Sequence, residues 1–176
     1  MAELTINGAT IETDASPETP LLYVLTDEMQ LQGPRFGCGL AQCGSCSVLV
    51  DGVETRACVT PVSSLSEKNI TTLEGLSDFY AAQTGQARAS TTPLQDALVE
   101  EQALQCGYCY NGMIIKGTEL LLDKPSPSDA EIRSAMNGHL CRCGTYPKIL
   151  SAIRKASQTM QELGHAASPT STEEIA

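Results

Sequence analysis

The stretch Gly37–Cys46, with the sequence GCGLAQCGSC, places three cysteines and three glycines within ten residues. Such crowding of thiols has three explanations: a disulfide staple, a zinc knuckle, or a loop wrapped around an iron–sulfur cluster. The chain has 176 residues and eight cysteines, and it opens MAELTINGAT, without a basic and apolar leader. We therefore expect a reducing compartment, which disfavours a disulfide framework.

The cysteines of this stretch follow the C-x4-C-x2-C spacing of plant-type ferredoxins. Cluster sulfurs carry negative charge and accept hydrogen bonds from backbone N–H groups, and glycines can take the φ values that such a concave loop requires. The remaining cysteine of this half lies on a segment that must fold straight back. The sequence predicts a [2Fe–2S] centre, favoured over zinc, with four ligands: Cys38, Cys43, Cys46 and Cys58.

A second group of cysteines has the spacings C-x2-C and C-x-C: Cys106, Cys109, Cys141 and Cys143. Spacing alone leaves zinc, a [4Fe–4S] centre and a [2Fe–2S] centre open here, although the pair around Arg142 is too tight for a typical zinc knuckle. No βαβ pattern supports a thioredoxin-like C-x2-C. With four thiols in each half, neither histidine is needed as a ligand, and we interpret His139 as a helix-end residue.

Other residues beside the cysteines have two interpretations. Arg35, Arg56 and Arg142 either offset cluster charge or are solvated surface residues. Tyr108 and Tyr110 are interpreted as packing and hydrogen-bonding residues rather than redox groups.

The first half of the chain has the pattern of a sheet. Asn7-Gly8 and Asp51-Gly52 are type I′ hairpin signals between alternating apolar residues. The run Leu21–Leu25 follows a proline and predicts a helix, and Ile70–Leu73 predicts a closing strand. Hairpins around one helix predict a β-grasp arrangement.

The second half has the periodicity of helices. One helix begins at Pro93 and includes Leu104, another follows Cys109, a third begins at the capping box Ser128–Glu131, and a fourth contains Ile149. The chain is thus predicted to be α+β. The predicted domains are a ferredoxin-type domain at residues 1–78, a linker at 79–92, a helical cluster-binding domain at 93–163 and a disordered tail at 164–176.

Several classes of function are disfavoured. The net charge of −10 disfavours nucleic-acid binding, and no apolar run is long enough to cross a membrane. Gln42 stands where a dinucleotide-binding motif has its last glycine, and neither a P-loop nor a nucleophile–base pair is present. The sequence therefore predicts electron transfer without bond-making chemistry.

Three segments carry a resemblance to a known family: GCGLAQCGSCSVLVDG with the following cysteine, LQCGYCYNGMI, and HLCRCGTYPKI. Together they resemble the two-cluster iron–sulfur subunit of the molybdenum hydroxylases, the family of xanthine oxidase and aldehyde oxidoreductase. The resemblance implies a ferredoxin-like domain and a four-helix domain with one [2Fe–2S] cluster each. It also implies that Gln105 and Cys143 contact the pterin.

The same resemblance implies a large partner subunit that carries molybdopterin, commonly as the cytosine dinucleotide, and oxidises an aldehyde or hydroxylates an N-heteroaromatic ring. The helical-domain cluster would receive electrons from molybdenum, and the N-terminal cluster would pass them outward. The ending CRCGTYPKI is similar to the small subunits of isoquinoline oxidoreductase, nicotinate dehydrogenase and membrane-bound aldehyde dehydrogenase. This subgroup implies a c-type cytochrome as acceptor and a location in the cytoplasm, or in the periplasm or at the membrane after export with a signal-bearing partner.

Two other functions remain as alternatives at this point. One is a free-standing, diffusible two-cluster ferredoxin, and the other is a zinc-stabilised interaction module.

Overall fold

The structure is a computed structural model that describes residues 2–164. The predicted disordered tail therefore lies outside the described residues from residue 165 onward. Five strands form one sheet: Ala2–Ile6 (β1), Ala9–Thr13 (β2), Ser47–Val50 (β3), Val53–Arg56 (β4) and Asn69–Thr71 (β5). The helices are Leu21–Tyr23 (α1), Leu76–Thr84 (α2), Pro93–Glu100 (α3), Tyr110–Asp123 (α4), Asp129–Ala135 (α5) and Tyr146–Glu162 (α6).

The sheet has the order β2-β1-β5-β3-β4, with β1 and β5 parallel and the other neighbours antiparallel. Both predicted hairpins are confirmed, because the two central residues of each turn have positive φ, 52° and 78° at Asn7 and Gly8, and 49° and 84° at Asp51 and Gly52. A type I′ turn requires these values. This mixed sheet confirms the predicted ferredoxin-like half.

The predicted first helix is present and covers one face of the sheet. It begins after Pro20 as α1 and continues as a π-helical segment, Val24–Glu28. Its apolar side chains are buried in a first hydrophobic core, together with residues of the sheet and of the loop after β4. The members of this first core include Leu4, Ile6, Leu21, Leu22, Leu25, Val48, Val62 and Ile70.

The opposite face of the sheet packs on the helices of the second half. Val48 belongs to the first core, whereas its neighbour Leu49 is fully buried in a second core formed mainly by α3, α4 and α6. Consecutive residues of a strand point to opposite faces, so β3 joins both cores. The second core includes Leu98, Met113, Ile115, Leu121, Ile132, Ile149, Ile153 and Met160.

Four helices follow residue 92, as the sequence predicts, and both α3 and α5 begin at a complete capping box. The placement of Leu104 in the first of these helices is wrong. The helix ends at Glu100 because Gln102 takes a left-handed φ of 51°, and Ala103 then fills the buried position with its N–H on the Leu98 carbonyl. Leu104 is consequently exposed.

The segment 79–92, predicted as a linker, begins inside a helix. Helix α2 continues to Thr84 and ends at Gly85, whose φ of 68° is the left-handed conformation common after helices. Tyr80 anchors this helix in the second core, where burial raises its pKa to about 12. The small and polar composition of the segment gave no sign that Tyr80 is buried in a core. The irregular part of the segment is 85–91. The exact domain boundary stays a prediction.

Across residues 2–164, no helix is both long enough and apolar enough to cross a membrane.

Candidate iron–sulfur centres

The loop Gly37–Cys46 points backbone N–H groups at its own thiols. The amides of Leu40 and Gln42 lie 3.4 and 3.2 Å from Cys38 Sγ, and the amide of Cys38 lies 3.4 Å from Cys43 Sγ. Burial opposes ionisation of Cys38, but these donors prevail and lower its pKa to about 7. Donors of this kind stabilise thiolates, which are the form that binds iron.

The glycines of the loop serve two different needs. Gly39 and Gly44 have φ values of 66° and 79°, in the left-handed region that glycine adopts without strain, and Ala41 shares this conformation at 58°. Gly37 has no positive φ. A Cβ there would lie 2.7 Å from Cys43 Sγ, so this position needs glycine because the thiol approaches the backbone.

The other two thiols of the first half lie deeper. The loop after β4 returns toward Cys46, with the Ala57 amide on the Cys46 carbonyl, and it places Cys58 beside Cys46 as the folding-back prediction requires. Burial is the main cause that raises the pKa of Cys46 to about 12, and the neighbouring Cys58 thiol adds to it. A positively charged centre is needed to hold such a buried thiol as a thiolate.

The second group of thiols also converges. Cys109 lies at the start of α4, and the pair Cys141 and Cys143 precedes α6. The Sγ atoms of Cys106 and Cys143 are 3.5 Å apart, and the side chains of Cys109 and Cys141 interact with each other. Cys141 Sγ also lies 3.5 Å from the Thr145 hydroxyl.

Both sites therefore hold their thiols as two pairs. In the first site the interacting pairs are Cys38 with Cys43 and Cys46 with Cys58. A structural zinc ion needs four ligands around one point, whereas a [2Fe–2S] cluster distributes four cysteines over two irons. The residues fit a [2Fe–2S] cluster at each site.

The two sites touch through main-chain groups. The amide of Leu140, next to Cys141, donates to the carbonyl of Cys43 at 2.9 Å. The buried Asn111, two residues after Cys109, donates from its side chain to the carbonyls of Ser45 and Ser47 at 3.0 and 2.8 Å. Sequence reasoning missed Asn111, because a polar residue in the first turn of a helix gives no sign of its distant acceptors.

A buried polar cluster reinforces this contact. His139 is 3% exposed, and its Nε2 lies 2.9 Å from the Arg56 guanidinium. Arg56 also pairs with Glu54 at 2.8 Å and donates to the Gly138 carbonyl at 3.2 Å. His139 follows the end of α5, as predicted, with its N–H on the Met136 carbonyl, and its side chain is enclosed between the two halves. Arg56 is not a solvated surface residue.

The predicted pterin-contacting residues lie at one exposed edge of the second site. Gln105 and Cys106 are exposed, and Cys143 is half-buried beside Cys106. Leu104 is an exposed apolar side chain next to Gln105 in sequence, and the exposed Leu140 precedes Cys141. The edge is accessible to a large cofactor held by another chain, and the contact itself stays a prediction.

Two four-cysteine sites on a ferredoxin-like sheet and a helical bundle define a two-cluster electron-transfer protein. Two family models agree: a 2Fe-2S iron-sulfur cluster binding domain matches residues 13–83, and a [2Fe-2S] binding domain matches residues 72–154. The chain belongs to the molybdenum hydroxylase family as an iron–sulfur small subunit, with two [2Fe–2S] clusters.

Relatives that match over nearly their whole length support the assignment to this family. The chain is 46% identical over 159 residues to one of the subunits of nicotinate dehydrogenase from Pseudomonas putida, covering 90% of this chain and 96% of that one. It is 43% identical over 159 residues to the alpha subunit of isoquinoline 1-oxidoreductase from Brevundimonas diminuta, covering 90% and 98%. The crystal structure of quinoline 2-oxidoreductase from Pseudomonas putida 86 superimposes with a TM-score of 0.80 at 34% identity, covering 94% of this chain and 97% of that chain. The predicted family is confirmed, and its similar members include the expected nicotinate dehydrogenase and isoquinoline oxidoreductase subunits.

Proposed function

We propose that this chain carries electrons from molybdopterin on a large partner subunit to the cluster of Cys106, Cys109, Cys141 and Cys143. From there they pass to the cluster of Cys38, Cys43, Cys46 and Cys58, and then to an external acceptor. The observation that supports transfer between the two sites is the 2.9 Å hydrogen bond from the Leu140 amide to the Cys43 carbonyl. It joins a ligand of the first site to the residue preceding Cys141, so one path between the sites consists of main chain and a single hydrogen bond.

Gln105 and Cys143 are assigned to the entry side, where they contact the pterin, which we take to be the cytosine dinucleotide form. Their exposure at the outer edge of the helical domain supports this role. The partner subunit would oxidise an aldehyde or hydroxylate an N-heteroaromatic ring, and the relatives named nicotinate dehydrogenase and isoquinoline 1-oxidoreductase favour the ring.

The exit side is assigned to the surface around the first site. Leu40 is 67% exposed and Phe36 is 52% exposed, and both flank Cys38, while the exposed Val59 follows Cys58. Residues 1–78 contain eleven Asp and Glu but three Lys and Arg, so this half carries −8 of the total charge of −10. An apolar contact surface surrounded by negative charge favours a positively charged one-electron acceptor. We assign a c-type cytochrome as this acceptor.

The order of the two sites is tested by Cys43→Ser and Cys109→Ser in the complete complex. Serine's alcohol is a poor substitute for a thiolate, so each change should remove one cluster. Substrate is mixed rapidly without acceptor, and EPR follows the remaining cluster. We expect the Cys43 variant to reduce its helical-domain cluster normally and to lose turnover with the acceptor. We expect the Cys109 variant to leave its remaining cluster oxidised, and the opposite pattern would show that the order is reversed.

The alternative of a free-standing ferredoxin makes a different prediction about isolation. We expect a complex with a molybdenum-containing chain, through an interface of about 2,000 Å² or more, as in permanent complexes. The small subunit should contribute four irons and four sulfides, as two [2Fe–2S] clusters require. A monomer from the native source with both clusters intact would contradict the subunit role, and locating the native complex would distinguish cytoplasm from periplasm.

A further inference from the structure

The hydroxyl group of Tyr110 is buried without a hydrogen-bond partner. The residue is 5% exposed, and its Oη is among the few buried side-chain atoms of residues 2–164 that have no partner. Removing a hydroxyl from water without giving it an acceptor is unfavourable, so native structures rarely leave one in this state. An orphan of this kind indicates an acceptor that is not a protein atom.

The position of Tyr110 identifies where that acceptor lies. Tyr110 directly follows Cys109 as the first residue of α4, and its hydroxyl interacts electrostatically with the thiols of Cys109, Cys141 and Cys143. Thr145 has the other hydroxyl beside Tyr110; it interacts with the Tyr110 oxygen without forming a hydrogen bond of normal geometry, and its Oγ1 lies 3.5 Å from Cys141 Sγ. The unpartnered Oη thus lies close enough to the ligands of the second site to interact with three of them electrostatically.

We propose that the Tyr110 hydroxyl donates a hydrogen bond to a sulfur of the second [2Fe–2S] cluster and raises the reduction potential of that cluster. The proposal rests on the assignment of this cluster under the proposed function. Hydrogen bonds to the sulfurs are among the factors that set such potentials, because they stabilise the more negative, reduced state. A higher potential makes this cluster a better acceptor for electrons arriving from molybdopterin.

The step involves one electron and no proton transfer. One iron of the cluster is reduced, and the electron comes from the partner subunit's reduced molybdenum centre. The Tyr110 O–H bond stays intact, since a phenol does not ionise near neutral pH. Only the strength of its hydrogen bond changes, because the acceptor sulfur becomes more negative.

Tyr108 offers a matched control on the other side of Cys109. It is 46% exposed, and its hydroxyl donates to the backbone carbonyl of Phe36, so it is not available to a sulfur. Tyr108→Phe and Tyr110→Phe each remove one oxygen atom from a tyrosine that neighbours the same ligand. Neither change alters a cysteine, and both keep the aromatic ring.

The experiment is an EPR-monitored redox titration of the complete complex, in the wild type and both variants. We expect Tyr110→Phe to disfavour reduction of the second cluster about tenfold, which is a shift of about 59 mV to lower potential for a one-electron couple. The first cluster should keep its potential, and Tyr108→Phe should leave both clusters unchanged. Pulsed EPR of the reduced second cluster in H₂O and D₂O should also show an exchangeable proton coupling that Tyr110→Phe removes.

Iron analysis distinguishes a failure of the proposed role of Tyr110 from a failure of the proposed function. If every variant holds four irons in its small subunit but Tyr110→Phe keeps both the wild-type potential and the proton coupling, the role of Tyr110 is refuted. An equal shift in Tyr108→Phe would refute it as well, because the effect would then not depend on the buried hydroxyl. A wild-type subunit without four irons would overturn the proposed function, and the role of Tyr110 with it.

Discussion

Helix α4 touches the first cluster loop at a point where the structure leaves no room for a side chain. A Cβ added at Gly112 would lie 2.1 Å from the Gly44 carbonyl oxygen, whereas such contacts become ordinary at 3.4 Å. The obstacle is backbone beside Cys43, which cannot rotate away. Gly112→Ala must therefore separate the helix from the loop by about 1.3 Å.

The loss in the free energy of unfolding follows from the contacts that this separation lengthens. The Asn111 bonds to Ser45 and Ser47, at 3.0 and 2.8 Å, would become too long, and each such bond contributes about 1 kcal/mol net. Overpacking adds about 1–3 kcal/mol. Alanine in place of glycine recovers up to about 1 kcal/mol of helix propensity. The net loss is about 2–4 kcal/mol, which lowers the melting temperature by about 5–15 °C for a chain of this size.

Gly117 provides the control within the same helix. A Cβ there would meet a methyl group of Leu94 at 2.6 Å, and a flexible side-chain end can move. We expect Gly117→Ala to change stability by less than about 1 kcal/mol. The assay is thermal unfolding of the complex, followed by the visible absorbance of its clusters. If Gly112→Ala melts at or above the wild-type temperature, or if both variants lose the same amount, the argument from backbone contact is refuted.

Three further predictions concern charges and caps. Arg56→Met removes one partner of a buried pair and should cost about 3 kcal/mol in chemical denaturation, whereas Lys68→Met at the exposed pair with Asp51 should cost less than about 1 kcal/mol. Burial acts against ionisation of Glu54, but the neighbouring His139, a hydrogen bond from the Ser47 hydroxyl and the charge of Arg56 lower its pKa below the usual 4.5. The stabilisation by this carboxylate is thus complete above about pH 4.5 and is lost as the pH falls through its lower folded-state pKa. Glu54→Gln should therefore weaken the pH dependence of the melting temperature below about pH 4.5, and an unchanged profile there would contradict this reasoning. Ser128→Ala removes the capping box of α5 and should cost about 1 kcal/mol, measured by denaturation against Ser64→Ala on the surface.

The cysteine ligands and the hairpins could be predicted because their signals are local. The C-x4-C-x2-C spacing lies within nine residues, and each type I′ turn is set by two adjacent residues, as at Asn7 and Gly8. The helices after residue 92 were likewise indicated by capping residues and apolar spacing. Leu104 was misplaced because periodicity does not show where a left-handed residue ends the helix.

The contacts between the halves could not be predicted in the same way. Asn111 binds carbonyls 64 and 66 positions away, and His139 meets Arg56 across 83 positions. Nothing in the local sequence of these residues identifies their partners. Tyr80 was concealed for a related reason, since only the folded chain shows that the second core reaches back to α2.

These contacts also bear on whether each half can form its cluster site without the other. Separate sets of four thiols, one in each half, would allow each site to form independently, so that loss of one cluster would leave the other. In the structure, the Cys43 carbonyl is held by the Leu140 amide, and the Ser45 carbonyl by Asn111, so the first cluster loop is partly built by the helical domain. An electron relay benefits from this arrangement, because groups fixed on rigid elements keep their spacing better than groups on free loops. We therefore expect Asn111→Ala, which alters no ligand, to reduce the iron content of the first site as well as the melting temperature. Full iron at both sites in that variant would show that the ferredoxin-like half forms its cluster without support from α4.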